Sequence, residues 1–329
     1  MKKQIRPGKF RSFLRWALWI LLVQFILLNI SASLYAYKLT HFYENKTLRK
    51  PAAGQNIFVK TWRLFTGPHF VKSTITSTPI FPYDTVTLHL PNETPISGWY
   101  IPADSLQKGT VLLFHGIMSN KSQLLTEAND FHHQGYNVLL IDFRAYGESG
   151  GVTTTIGAKE ALEVKMAYDY IKTKGEDNIY CYGVSMGAVC VMKAVAEYNL
   201  QPSGIILDMP FQSMQKHLQA RARLIGFEGF PEKPFSFLVT GWISIERGFN
   251  AYKYDAVSYA KKITCPVLLQ WGSDDPIVLK SETDKIFDNI ASAHKKRITY
   301  KQAGHESFLR NDAALWRNEV ENFLSQFKN

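Results

Sequence analysis

Gly183-Val184-Ser185-Met186-Gly187 sets a serine between two glycines. A short apolar run, Asn178-Ile179-Tyr180-Cys181-Tyr182, precedes it, and a longer one, Ala188 to Ala196, follows. The stretch reads as strand, sharp turn and helix, the setting that a G-x-S-x-G nucleophile elbow requires. The glycines leave room for a strained turn. The serine hydroxyl then projects at the top of a sheet, near a helix N-terminus. There the dipole and free N–H groups can stabilise a developing oxyanion.

A serine hydroxyl is a poor nucleophile at neutral pH. It needs a base within hydrogen-bond reach, and the base needs an acceptor to orient it. His305 stands in Gln302-Ala303-Gly304-His305-Glu306, just after the last expected strand, with a glycine to permit a tight turn. His115 ends an earlier strand, and His132 and His133 sit on an expected helix. His41, His69, His89, His217 and His294 lack a strand-end setting. His305 is therefore the expected base. The acid is open among three aspartates. Asp274 and Asp275 follow a strand ending at Trp271, and Pro276 restricts Asp275 to extended or turn geometry. Asp208, after the preceding strand, is the third. An oxyanion hole needs two backbone N–H groups. Met186, next to the nucleophile, should give one. Ile117, in the loop His115-Gly116-Ile117-Met118-Ser119-Asn120, should give the other.

Buried strands must position these residues. Thr85–Leu90 alternates with period two and Ile96–Ile101 follows a turn, which reads as an antiparallel hairpin. Thr110–Phe114, Asn137–Asp142, Gly204–Asp208, Pro266–Trp271 and Arg297–Tyr300 are further apolar strands. Helical patterns fall at 122–134, 157–173, 280–290 and 311–327. Ala161, Val164, Tyr168 and Ile171 share one face of the second. Such alternation implies an α/β fold with a mostly parallel, mixed sheet covered on both faces. The interval 209–259 breaks the alternation and is too long for an ordinary loop. It reads as a helical cap insertion whose aromatics (Phe211, Phe227, Phe230, Phe235, Phe237, Trp242, Phe249, Tyr252, Tyr254) pack as core or line an apolar pocket. The core is then 84–208 and 260–329, and residues 38–83 read as linker and irregular structure.

Residues 1–15 are a basic tail carrying Lys2, Lys3, Arg6, Lys9, Arg11 and Arg15 without an acid. Residues 16–37 have no charge and are about the length of a membrane-spanning helix, ~20 residues. Tryptophans at one end and tyrosines at the other suit an interfacial belt. The expectation is a transmembrane anchor with a cytoplasmic N-terminus and the remaining chain on the outer side. The rival is a signal peptide cleaved near Ser31-Ala32-Ser33, which would leave a secreted protein. The net charge of +10 suits a solvated basic surface or anionic headgroups. Nucleic acid is a poor match, since no helix-turn-helix, zinc spacing or interleaved Arg–aromatic block occurs. The three cysteines, Cys181, Cys190 and Cys265, lie in apolar segments and read as buried free thiols. They form neither a disulfide framework nor a metal site.

His115-Gly116, Asp142-Phe143-Arg144-Ala145-Tyr146-Gly147-Glu148-Ser149, Gly183 to Gly187, Gly272-Ser273-Asp274-Asp275-Pro276-Ile277-Val278 and Gly304-His305 occur in one order along residues 84–327. Together they resemble the α/β-hydrolase superfamily, and within it the serine-aminopeptidase-like and monoacylglycerol-lipase-like group, which has membrane-tethered members. The resemblance implies the triad order Ser185, Asp275, His305, because the family's acid stands three residues after the glycine. It implies that Asp142 and Arg144 fix a loop, and that no metal or organic cofactor is needed. The expected activity is hydrolysis of an ester or thioester, of a small-molecule or lipid substrate. Amidase, peptidase or acyltransferase chemistry on the same triad is an alternative, as is a tethered binding protein with this fold. Two departures stand out: the oxyanion loop is His-Gly-Ile-Met rather than Gly-rich, and Val184 occupies an elbow position where larger or polar residues are common.

Overall fold

The computed structural model describes residues 7–43, 57–104, 107–224 and 232–327. It begins with α1 (Pro7–Leu39), β1 (Phe42–Tyr43), α2 (Ile57–Thr66) and β2 (Phe70–Val71), which pairs in parallel with β1. An antiparallel hairpin, β3 (Asp84–His89) and β4 (Pro95–Ile101), comes next. Then strands and helices alternate: β5 (Thr110–Phe114), α3 (Leu125–His133), β6 (Asn137–Ile141), α4 (Ala161–Thr173), β7 (Ile179–Val184), α5 (Met186–Tyr198) and β8 (Gly204–Asp208). Helices α6 (Met214–Leu224), α7 (Glu232–Arg247) and α8 (Ala256–Ala260) intervene before β9 (Val267–Gly272). The chain finishes with α9 (Lys280–Asn289), β10 (Lys295–Tyr300), α10 (Phe308–Asn311) and α11 (Ala313–Gln326).

Eight strands form one sheet in the order β10-β9-β8-β7-β5-β6-β4-β3. Only the pairings of β4 with β3 and with β6 are antiparallel; the rest are parallel. The sequence accounts for the arrangement. Every residue of β5, β6, β8 and β9 is buried, so each is an unbroken apolar run with helices on both sides. β3 and β10 are edges and leave residues exposed. α5 is buried almost throughout its length, which fits its run of Ala, Val, Cys and Met. All three cysteines are free and buried.

α1 changes environment along its length. Phe10 to Leu27 is mostly exposed, whereas Ala32, Tyr35, Ala36 and Leu39 are buried. At that end Ser31 donates to the Phe65 carbonyl at 2.5 Å and Ser33 to Glu246 at 3.2 Å. Arg247 Nε donates to Thr40 at 2.7 Å. So α1 docks on α2 and α7. The helix meets the length and composition needed to cross a membrane.

The interval 38–83 holds more than linker. It contains α2, and beyond β2 its chain lies on the loop that follows β5. Ser73 Oγ donates to the Ser119 carbonyl at 2.7 Å, and Asn120 Nδ2 donates to the Thr74 carbonyl at 3.0 Å. In 209–259, Phe211, Phe235 and Tyr254 are buried in the core, while Phe237 and Tyr252 are exposed and pack on each other at 5.0 Å. Phe227 and Phe230 lie outside the described residues.

Candidate active site

The elbow places Ser185 where β7 ends and α5 begins. Its backbone takes φ 53° and ψ −110°, a region that L-residues occupy only under constraint. Packing supplies the constraint. A Cβ on Gly187 would fall 2.2 Å from the Phe114 carbonyl oxygen, and one on Gly183 2.7 Å from Ala188 Cα. Both flanking positions therefore exclude any other residue. The Ser185 N–H donates to the Asp208 carbonyl at 2.8 Å, which ties the turn to β8.

His305 Nε2 lies 3.0 Å from Ser185 Oγ, and its Nδ1 lies 2.7 Å from Asp275 Oδ2. The other Asp275 oxygen, Oδ1, accepts the N–H groups of Ile277 at 2.7 Å and Val278 at 2.9 Å. Asp275 is buried and Asp274 exposed, the latter accepting only from the Ser273 hydroxyl at 2.9 Å among the described residues. Two loops carry acid and base, and they are sewn together. Asp274 N–H donates to the Ala303 carbonyl and Gln302 N–H to Ser273 Oγ, each at 2.9 Å. The tight turn before His305 falls on Gln302, at φ 56°, and not on Gly304.

Asp208, the third strand-end aspartate, is engaged elsewhere. Tyr182 donates to its Oδ2 at 2.6 Å and Gln270 to its Oδ1 at 2.9 Å. Burial pushes its carboxyl up to about 8, so it serves as a buried polar joint between strands.

Ile117 and Met186 flank the nucleophile. A Cβ on Gly116 would stand 3.5 Å from Ser185 Cβ, so the loop after β5 passes directly beside it. His115 fixes that loop. Its Nε2 accepts from the Phe143 N–H at 3.1 Å, which leaves the proton on Nδ1, 2.7 Å from the Gly116 carbonyl. Burial holds this ring below the ordinary histidine pKa. The Met186 side chain is buried, and Ile117 borders the open space above Ser185.

Loop-fixing by Asp142 and Arg144 has a partner that the sequence did not suggest. Asp142 accepts from Lys121 N at 2.7 Å, Lys121 Nζ at 2.5 Å and Glu148 N at 2.9 Å. Lys121 is fully buried and also reaches Glu148 at 2.6 Å. Arg144 pairs bidentately with Glu163, at 2.6 and 3.0 Å. Glu127 is a further unforeseen group. It is buried beside the site, bonded to Ser307, and its carboxyl is raised by desolvation.

The space above Ser185 measures about 540 Å³ and is bordered by Ile117, Met118, Met209, Arg221, Leu224 and His305, among others. Its wall includes none of the described cap aromatics, which pack instead as core or on the surface.

The sequence profile of the serine aminopeptidase S33 family of hydrolases matches residues 106–232 and 247–312, more than half of the chain. The chain belongs to that family. It is a serine hydrolase of the α/β-hydrolase fold. An uncharacterized Bacillus subtilis protein, YqkD, is 27% identical over 233 residues, covering 70% of this chain and 75% of its own length. A lysophosphatidylserine lipase, ABHD12 of Xenopus tropicalis, is 27% identical over 213 residues. That match covers 62% of this chain and 52% of the lipase, so the chain spans about half the length of that relative. Among solved structures, the Pyrococcus furiosus esterase Pf2001 superposes with a TM-score of 0.64 at 25% identity, over 78% of this chain and 98% of its own.

Proposed function

We propose that the chain is a membrane-anchored serine hydrolase that cleaves a carboxylic ester or thioester of a lipid or acylated substrate. The observation that carries this reading is the unbroken line from Ser185 Oγ through His305 to Asp275, at 3.0 and 2.7 Å, beneath a cavity of about 540 Å³. Ser185 attacks the carbonyl while His305 Nε2 takes its proton. Asp275 holds the His305 tautomer and stabilises the imidazolium. The N–H groups of Ile117 and Met186 receive the oxyanion. His305 then protonates the leaving group, and water releases the acyl group by the same cycle. The lipase and esterase named among the similar proteins support an ester substrate.

In this reading, α1 is the anchor, residues 84–208 and 260–329 are the catalytic core, and 209–259 is its cap. The six basic residues before Trp16 put the N-terminus in the cytoplasm and the core on the outer side. Ser31 and Ala32 are buried where α1 packs on its neighbours, which supports a retained anchor over cleavage at that point.

The test is fluorophosphonate labelling of the full chain in detergent, with Ser185→Ala as control, followed by turnover of acylglycerol, acyl-thioester and aminoacyl-amide panels. Labelling of the Ser185 protein alone, with ester or thioester turnover, is expected. Labelling of Ser185→Ala to the same extent would refute the assignment, and turnover of amides alone would favour a peptidase.

A further inference from the structure

The cavity over Ser185 has a guanidinium in its wall that the hydrolytic cycle does not use. Arg221 lies in the last turns of α6, four residues after His217, and both border the space that Ser185 opens into. Its face covers the Phe70 ring at 5.3 Å. Of its five N–H donors, Nε goes to His217 Nε2 at 3.0 Å. Among the described residues Nη2 has only Met118 Sδ, a weak acceptor 3.8 Å away. Among the described residues no carboxylate pairs with Arg221.

The other charged groups on the wall have partners of their own. One Glu127 oxygen is bonded to Ser307, the other is buried without a hydrogen-bond partner among the described residues, and Arg310 donates to Thr126. Glu306 accepts from Gly304 N at 3.2 Å and Asn311 Nδ2 at 3.4 Å. His217 is neutral, because the Arg221 N–H occupies its Nε2 as acceptor. The proton is then on Nδ1, which is buried and has no hydrogen-bond partner among the described residues. Burial lowers the Arg221 pKa, and among the described residues only Tyr35 and Tyr146 oppose the shift. Tyr146 is itself held neutral by burial.

A guanidinium set into a protein wall costs desolvation energy unless an anion meets it. Its planar fork matches a phosphate or carboxylate better than any other group. We infer that Arg221 recognises an anionic group, phosphate or carboxylate, carried by the substrate on a part away from the scissile carbonyl. The free Nη edge makes the ion pair. The substrate class is thereby narrowed to anionic ester amphiphiles. This rests on the ester-hydrolase reading, so its test separates the two.

Binding is measured on the full-length Ser185→Ala protein in a non-ionic detergent, which needs no turnover. The probes are 1-palmitoylglycerol 3-phosphate and 1-palmitoylglycerol. The phosphate ester should bind more tightly. Adding Arg221→Gln should cut the ratio of the two affinities about 10- to 100-fold, the weight of one charge-assisted hydrogen-bond pair. Arg221→Lys should fall between. Competition by inorganic phosphate would show that the anion alone is recognised, and no competition that the amphiphile is required. Equal loss of both ligands on Arg221→Gln would assign the residue to packing on Phe70 and overturn the inference, as would a ratio near one with Arg221 intact. Failure of the ester reading shows independently, as no turnover of either probe by the Ser185 protein.

Discussion

Asp275→Asn is an isosteric change whose consequence the loop geometry decides. Asp275 Oδ1 accepts two backbone N–H groups, from Ile277 and Val278, and Oδ2 faces His305 Nδ1 at 2.7 Å. In the variant the amide oxygen must stay at the two-donor position. Turning it would set an NH₂ group against two buried N–H groups, at about 1–3 kcal/mol for each donor left unsatisfied. The NH₂ therefore faces His305 and donates to Nδ1. The imidazole proton moves to Nε2, 3.0 Å from Ser185 Oγ, so a donor stands where the serine proton must be received. The analogous tautomer error in the worked serine-protease triad costs about 10⁴ in kcat, or about 5.4 kcal/mol of barrier. The assay is the second-order rate of fluorophosphonate labelling of Ser185, which requires no knowledge of the substrate. Asp274→Asn, at an exposed position, should label within about twofold of the parent, since changes to exposed side chains are close to neutral. Asp275→Asn labelling within about tenfold of the parent, in protein with an unshifted Tm, would refute the reasoning.

Lys121→Met strands the buried Asp142 carboxylate and should lower stability by about 3–5 kcal/mol. Thermal unfolding reads the loss, and adding Asp142→Asn should restore part of it. Gly187→Ala drives a methyl group to 2.2 Å from the Phe114 carbonyl oxygen, so the elbow must open and Ser185 labelling should fall at least as far as Tm does. Asp208 contributes a pH dependence. Its carboxyl ionises at about 8 when folded against an ordinary 3.8, so the unfolded chain releases its proton first. The stability it contributes is full below about pH 4 and is lost as pH rises to about 8. Asp208→Asn, still able to accept from Gln270, should flatten that part of the Tm–pH curve; an unchanged slope would place the cause elsewhere.

Most of the sheet was legible because its strands are buried on both faces. The apolar runs Thr110–Phe114 and Gly204–Asp208 have the limits of β5 and β8. The serine and the histidine were legible as strand-end residues, since chain direction fixes which end of a parallel strand carries its loop. Asp274 and Asp275 were not separable by spacing. They are adjacent in a loop, and side-chain direction there depends on the Ile277 and Val278 N–H groups that capture one carboxylate. Lys121 was invisible for a related reason. It reads as a loop lysine, and its partner is Asp142, which no periodicity connects to it. α2 has Phe58, Trp62 and Phe65 at helical spacing, but Phe58 and Trp62 are exposed, and neighbouring turn-like residues masked the signal.

The N-terminal region carries the largest surprise, and its chemistry explains why. Ser73, Thr74 and Thr76 look like linker because they are small and polar. Those same hydroxyl and carbonyl groups bond to Ser119, Asn120 and Ser122, in the loop that carries Ile117. Phe70 lies under Arg221. Tyr35, near the end of α1, meets Phe235 of α7 edge-on at 5.6 Å. A composition that signals a loop signals equally a strap, and only the partner decides between them. Here the partner is the cavity wall, so Phe70, Ser73, Thr74 and Thr76 are built into the site. Hydrogen bonds of this kind each contribute about 0.5–1.5 kcal/mol. Several acting on one loop suffice to hold it beside Ser185, whereas a free tether would leave that loop to its own short-range bonds.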